Sequence, residues 1–146
     1  MVLGSLPGEK SLAARRYYAH PQNRFWHLIG NMIDVELEPL DYEDRLAALL
    51  KARVGLWDTV ASARREGSLD AAIREAKPTA LAGLAASLPQ LRAVGFNGQT
   101  SAKLGMPQLA HTDLALIPLP SSSPALASMP LAEKEKLWGA LREFLA

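Results

Sequence analysis

The chain has 146 residues, of which 49% are apolar and 21% charged, with a net charge of +1 and no cysteine. Such a length and composition point to one domain over residues 1–146, with material for a packed core and no signature of disorder. They exclude disulfides, thiolate chemistry, cysteine-held zinc and iron–sulfur clusters, and no apolar run reaches the roughly 18 residues of a membrane span.

The chain opens on an apolar segment, Met1–Leu3, which reads as a short first strand. It runs into Gly4-Ser5-Leu6-Pro7-Gly8, where two glycines around a proline let the backbone pass close to a bound group. Residues 10–18 and 23–32 read as helices, the second with Phe25, Trp26, Ile29, Met32 and Ile33 on one face. Asp41 suits the N-cap of a helix over about 42–53, with Leu46, Leu49 and Leu50 at helical spacing. Val54–Trp57 reads as a second, buried strand. Ser68 suits the cap of a brief helix near 69–75, and Pro78 the start of another reaching about Ser87. Leu91–Phe96 is a third strand, followed at Asn97-Gly98 by a turn into a helix near 99–104. Leu114–Pro118 is a fourth strand, residues 118–130 are a long Ser/Pro-rich segment, and residues 131–145 form a closing helix.

Strands separated by helices imply an α/β fold, a three-layer α/β/α sandwich around a central, mainly parallel four-stranded sheet. In such a sheet the segments that follow the strands share one edge, the usual place for a ligand. The Gly4–Gly8 loop, Asp58, Asn97 and Ser121–Ser123 each follow a strand, so they converge although they lie far apart in sequence. Charge adds a second pattern. Lys10, Arg15, Arg16, Arg24 and His20 lie early, opposed there only by Glu9, whereas residues 34–44 carry Asp34, Glu36, Glu38, Asp41, Glu43 and Asp44. A small basic face beside an acidic flank suits a protein that grips DNA briefly; two ordinary solvated faces would look the same. No His/Asp/Glu cluster has metal-ligand spacing, so neither metal nor cofactor is expected. His27 and His111 have no partner pattern and read as packing or surface residues.

Gly4-Ser5-Leu6-Pro7-Gly8, Ser11-Leu12, Tyr17-Tyr18-Ala19-His20-Pro21 and Asn23-Arg24-Phe25-Trp26 resemble the first motif of the uracil-DNA glycosylase superfamily. The sixth family, the hypoxanthine (deoxyinosine) DNA glycosylases, is the nearest branch, and the mismatch-specific uracil/thymine glycosylases come second. Val54–Asp58, Arg65–Asp70, Phe96-Asn97-Gly98 and Leu119–Pro124 recur in the family's order, so the resemblance covers nearly the whole chain. Branches that hold a four-cysteine cluster are excluded by the absence of cysteine.

The resemblance implies a monofunctional base-excision repair enzyme that flips a deaminated base out of DNA and hydrolyses its N-glycosidic bond. The base would be hypoxanthine, with xanthine and uracil as further candidates. Tyr18 matches the aromatic on which relatives stack the flipped base; its plainer role is packing the following helix. Asn23 is the candidate catalytic side chain, orienting a water through its carbonyl or donating to the base through its NH2 group. Its plainer role is to start the helix, and the two coexist only if the side chain is not committed to helix N–H groups. Leu6 and Asp58 would line the base. Leu6 stands where mismatch-specific uracil glycosylases carry a water-positioning asparagine, and Asp58 where uracil cutters carry a base-reading one. Gly4, Ser5, Pro7, Gly8, Ser11, His20, Asn97, Gly98, Ser121, Ser122 and Ser123 are the candidate DNA contacts, largely to phosphate, which positions without reading sequence. The expected partner is DNA containing a deaminated base, with no membrane. A monomer in the cytoplasm is expected, nucleoid-associated in a prokaryote, because nothing at the N-terminus resembles a signal peptide. A non-catalytic nucleic-acid-binding module of the same fold and a small-molecule nucleosidase are the readings from other classes.

Overall fold

The computed structural model describes residues 1–4, 18, 23–58, 60–64, 74–78, 81–123 and 129–145. Six strands occur among them: β1 (Val2–Gly4), β2 (Leu56–Asp58), β3 (Val60–Arg64), β4 (Arg74–Pro78), β5 (Ala93–Asn97) and β6 (Ala115–Leu119). The helices are α1 (Phe25–Ile33), α2 (Tyr42–Lys51), α3 (Leu81–Ala86), α4 (Gln99–Leu109) and α5 (Leu131–Trp138), which continues as a 3-10 turn over Gly139–Phe144.

Four strands form one parallel sheet in the order β2-β1-β5-β6. Side chains alternate across a strand, and here the alternation sorts them into two apolar clusters. Val2, Leu119 and Ile117 join Phe25, Leu28, Ile29 and Met32 of α1, Leu49 of α2, and Trp138 of α5. Leu3, Val94 and Phe96 point the other way, onto Leu81 of α3 and Leu109 of α4. Helices therefore cover both faces of the sheet, giving the expected three layers. Phe25 and Trp138 are wholly buried and meet edge to face, their ring centroids 5.9 Å apart. Truncating either to alanine would cost about 3–5 kcal/mol through the cavity left behind.

Local cues set the helix ends. Gly30 is buried in α1, and a Cβ on it would sit 2.6 Å from the Val35 carbonyl oxygen, so only glycine lets the chain fold back there. Asp34 closes the helix in a left-handed conformation, φ 59°, a state that Asp tolerates better than most residues. Asp41 occupies the N-cap of α2 as expected, in an extended conformation and with no side-chain cap bond.

The largest departure from the sequence reading lies in the middle of the chain. Residues 60–64 and 74–78 form an antiparallel hairpin, β3 with β4, pairing Val60 with Pro78 and Arg64 with Arg74. The helix expected near 69–75 is thus wrong at residues 74 and 75; Pro78 ends a strand, and the helix expected from it to about Ser87 is present as α3, over Leu81–Ala86. Proline lacks the N–H a ladder needs, and a two-stranded ribbon, all edge, accommodates it. The strand expected over Val54–Trp57 begins at Leu56 and includes Asp58. The helix after Gly98 runs to Leu109, carrying Pro107 within it, and the closing helix tightens to 3-10 after Trp138. The helix expected over 10–18 lies outside the described residues, Tyr18 excepted.

Candidate active site

The carboxyl ends of the four parallel strands share one edge, as β1, β2, β5 and β6 end at Gly4, Asp58, Asn97 and Leu119. Register places Gly4 beside Asp58 and Asn97 beside Leu119. The Ser101 hydroxyl of α4 donates to the Leu3 carbonyl over 2.7 Å, and the Trp138 indole of α5 donates to the Pro120 carbonyl over 2.9 Å. Both outer layers thus pin the strand ends that carry the candidate loops.

Four side chains from separate segments meet there. Asn23 precedes α1, and its Oδ1 accepts a 2.9 Å bond from the Phe25 N–H, a local turn that starts the helix. The same oxygen accepts from the Ser122 hydroxyl at 2.8 Å. Asn97 holds Ser122 at two points: its Oδ1 accepts from the Ser122 N–H at 2.9 Å, and its Nδ2 donates to the Ser122 hydroxyl at 2.9 Å. Nδ2 also donates to the Tyr18 hydroxyl at 3.3 Å. Ser122 is 1% exposed and Asn97 6%, so these are interior bonds between residues 25 to 99 positions apart. Unpaired, each buried group would cost about 1–3 kcal/mol, so the bonds hold one another in place. The Ser122 carbonyl completes the junction by accepting from the Arg24 N–H at 2.9 Å.

Tyr18 sits in a left-handed backbone conformation, φ 52°, uncommon for a bulky residue. Its ring lies flat on Phe25, centroids 3.8 Å apart and planes 11° from parallel. The helix-packing role is therefore present, and it aims the ring from a fixed support.

Gly98 has φ +95°, a backbone conformation that favours glycine, while a Cβ on it would only touch the Ser121 Cβ at 3.4 Å. Its N–H donates to the Leu119 carbonyl, and it opens α4 as N-cap. Ser121 accepts at its hydroxyl from the Ser123 N–H over 3.1 Å, folding the serine segment on itself. Lys134 of α5, only 5% exposed, donates to the Ser123 carbonyl over 3.4 Å; burial lowers its pKa from the usual 10.5 by desolvation.

Of the candidates named from sequence, Asn23, Tyr18, Asn97, Gly98 and Ser121–Ser123 are brought together. Gly4 and the backbone of Asp58 lie at the same sheet edge. Ser5, Leu6, Pro7, Gly8, Ser11 and His20 lie outside the described residues. Sequence reasoning did not find Lys134, which a helix away gives no motif, nor the partners of His27. The His27 Nδ1 lies 3.2 Å from Glu38 Oε1 and its Nε2 2.6 Å from Glu135 Oε1, a bridge between residues up to 108 positions apart. It belongs to a different face. Among the described residues no group of three His, Asp or Glu side chains gathers as a metal site, and no helix is long and apolar enough to cross a membrane.

Comparison with known proteins agrees with this architecture. The family model of the uracil DNA glycosylase superfamily matches residues 1–143. The chain is 40% identical over 101 residues to the hypoxanthine DNA glycosylase of Methanosarcina barkeri (strain Fusaro / DSM 804), covering 69% of this chain and 64% of that protein. It is 38% identical over 125 residues to the hypoxanthine DNA glycosylase of Methanosarcina acetivorans, covering 86% and 78% respectively. The chain thus spans about two thirds of the first relative's length and more of the second's. A solution NMR structure from Methanosarcina acetivorans, named for a proposed uracil DNA glycosylase, superposes with a TM-score of 0.86 at 34% identity, covering 98% of this chain and 88% of that one.

Proposed function

We propose that this chain, which belongs to the uracil DNA glycosylase superfamily, is a monofunctional DNA glycosylase that releases hypoxanthine from DNA. Two relatives of 38–40% identity carry that activity in their names. The observation that carries the reading is the junction at the sheet edge, where Asn23, Tyr18, Asn97 and Ser122 fix one another.

In the reaction a nucleotide leaves the stack and its base enters the protein. The bond between C1′ and the base nitrogen breaks, its electron pair leaves with the base, and a water oxygen bonds to C1′. The proton that water loses balances the one the base gains. Negative charge therefore grows on the base, and a donor fixed beside it lowers the barrier. Asn23 supplies that donor: its oxygen is occupied by Phe25 and Ser122, and among the described residues its Nδ2 makes no hydrogen bond. The O6 and N7 of hypoxanthine are acceptors of the kind an amide NH2 meets. Tyr18, backed by Phe25, is the stacking platform for the base. Asp58, an acceptor when ionised, suits a base that presents N–H groups. Leu6 would wall the pocket, Gly4–Gly8, Ser11 and His20 would border the DNA, and Ser121 and Ser123 would meet its phosphates.

The test is a panel of duplexes containing inosine, xanthosine, uracil or a G·T pair, scored by strand cleavage after alkali, with and without EDTA. Fastest cleavage at inosine, undiminished by EDTA, is expected. Preference for uracil or the G·T pair would move the chain to the mismatch-specific branch. No release from any duplex would leave a binding module, and release from free nucleosides alone a nucleosidase.

A further inference from the structure

We propose that Ser122 is a positioning residue that sets the Asn23 amide with its NH2 group toward the substrate, rather than a contact to DNA. The inference rests on the reading of Asn23 given above. Two backbone N–H groups fix every polarity in the chain of bonds. The Phe25 N–H can only donate, so the Asn23 atom 2.9 Å away is its oxygen. The Ser122 N–H can only donate, so the Asn97 atom 2.9 Å away is likewise oxygen, and Nδ2 of Asn97 faces the Ser122 hydroxyl. That hydroxyl therefore accepts from Asn97 and has one proton left, which it donates to Asn23 Oδ1 at 2.8 Å. Both acceptor positions of Asn23 Oδ1 are then filled. A water cannot be oriented through that oxygen, and the remaining function of the amide is donation from Nδ2.

Burial excludes the alternative for Ser122 itself. At 1% exposure its hydroxyl does not reach a phosphate, and its N–H, carbonyl and hydroxyl are all engaged within the protein. The neighbours Ser121 and Ser123 are partly exposed and remain the members of the segment that DNA can reach.

The decisive experiment combines single-turnover cleavage of an inosine duplex, duplex affinity, and NMR of the Asn23 side-chain amide. Its variants are Ser122→Ala, Ser122→Cys, Asn23→Ala and the double variant Asn23→Ala/Ser122→Ala. Loss of one buried hydrogen bond corresponds to roughly a tenfold slower rate for Ser122→Ala, with duplex Kd unchanged. Ser122→Cys keeps the shape with a weaker donor and falls between; it carries the test if the alanine variant fails to fold. In the Asn23→Ala background the serine change adds nothing, because its action passes through Asn23. The Nδ2 and Hδ2 resonances of Asn23 shift toward those of a solvent-exposed amide in Ser122→Ala, because the oxygen has lost its hydroxyl donor. Wild-type rate in folded Ser122 variants, losses that multiply in the double variant, or weaker duplex binding would overturn the proposal. If Asn23→Ala itself cleaves normally, the catalytic reading of Asn23 fails, while the amide spectrum still decides whether Ser122 orients it.

Discussion

Two polar clusters flank α1, and they use similar chemical groups to opposite ends. At its start, Asn23, Ser122, Asn97 and Tyr18 join across the interior, with two of the four nearly inaccessible to solvent. Along its outer side, His27 bridges Glu38 and Glu135, while Arg142 reaches Asp34 at 3.2 Å and the Asn31 carbonyl. In this second cluster the partners are 31% to 81% exposed. A cleft of about 360 Å3 opens beside it, lined by Trp26, His27, Asp34, Glu36 and Glu38. Water competes for the exposed pairs, which makes each worth little, whereas a buried bond left unmade costs the full desolvation of its group. Orientation is therefore fixed where solvent is excluded. The exposed contacts of His27 and Arg142 link neighbouring segments weakly, without dictating which way any one side chain faces.

The largest test of this contrast is Asn23. Asn23→Ala should slow single-turnover release of hypoxanthine by about 10²–10³, the loss expected for one positioned donor. The unpaired Phe25 N–H and Ser122 hydroxyl should lower its Tm by several degrees or more, so the rate is measured at a temperature where the variant is still folded. Asn23→Asp sharpens the point, because a carboxylate still accepts from Phe25 and Ser122 and lacks only the Nδ2 donor. It should be as slow as Asn23→Ala; a fast Asn23→Asp would mean that the oxygen acts on water.

Next in size is Tyr18→Ala. Base–aromatic stacking is worth about 1–3 kcal/mol per base, so cleavage should fall by roughly 5- to 150-fold, while Tyr18→Phe stays near the parent. Equal rates for the alanine variant and the parent would confine Tyr18 to packing on Phe25.

Gly98→Ala tests the scaffold rather than the chemistry. Forcing a Cβ onto a backbone at φ +95° should cost about 1–3 kcal/mol and lower Tm by several degrees. Calorimetry that finds Tm unchanged would remove the strain argument.

The smallest effect belongs to the exposed cluster. His27→Ala should change stability by no more than about 1 kcal/mol in denaturant titration, and leave the cleavage rate as it was. A drop in rate comparable to that of Tyr18→Ala would mean that the two clusters communicate.

Much of the scaffold was legible because strands announce themselves locally. Met1–Leu3, Leu91–Phe96 and Leu114–Pro118 are short apolar runs bounded by Gly, Pro and Asn, and each lies within two residues of an observed strand boundary. The hairpin of β3 and β4 was not legible. Val-Ala-Ser-Ala-Arg and Arg-Glu-Ala-Lys-Pro lack a strong alternation, and only pairing with each other makes them strands. At the site, glycine-rich and serine-rich segments marked the right sheet edge. Spacing along the chain, however, treats Ser121, Ser122 and Ser123 alike, and it gave His27 no partner.

By itself, then, the sequence determined the α/β alternation, the absence of thiol chemistry and the set of polar loops that meet at one end of the strands. Those features depend on local periodicity and on residue chemistry, which a linear chain carries in full. The tertiary structure decided that Ser122 is interior while its neighbours are not, and that Asn97 faces Ser122. It also decided that Asn23 commits its oxygen and, among the described residues, leaves its NH2 group without a hydrogen bond. Each of these depends on which donor from a distant segment arrives within 3 Å, and that is settled only when both faces of the sheet are packed.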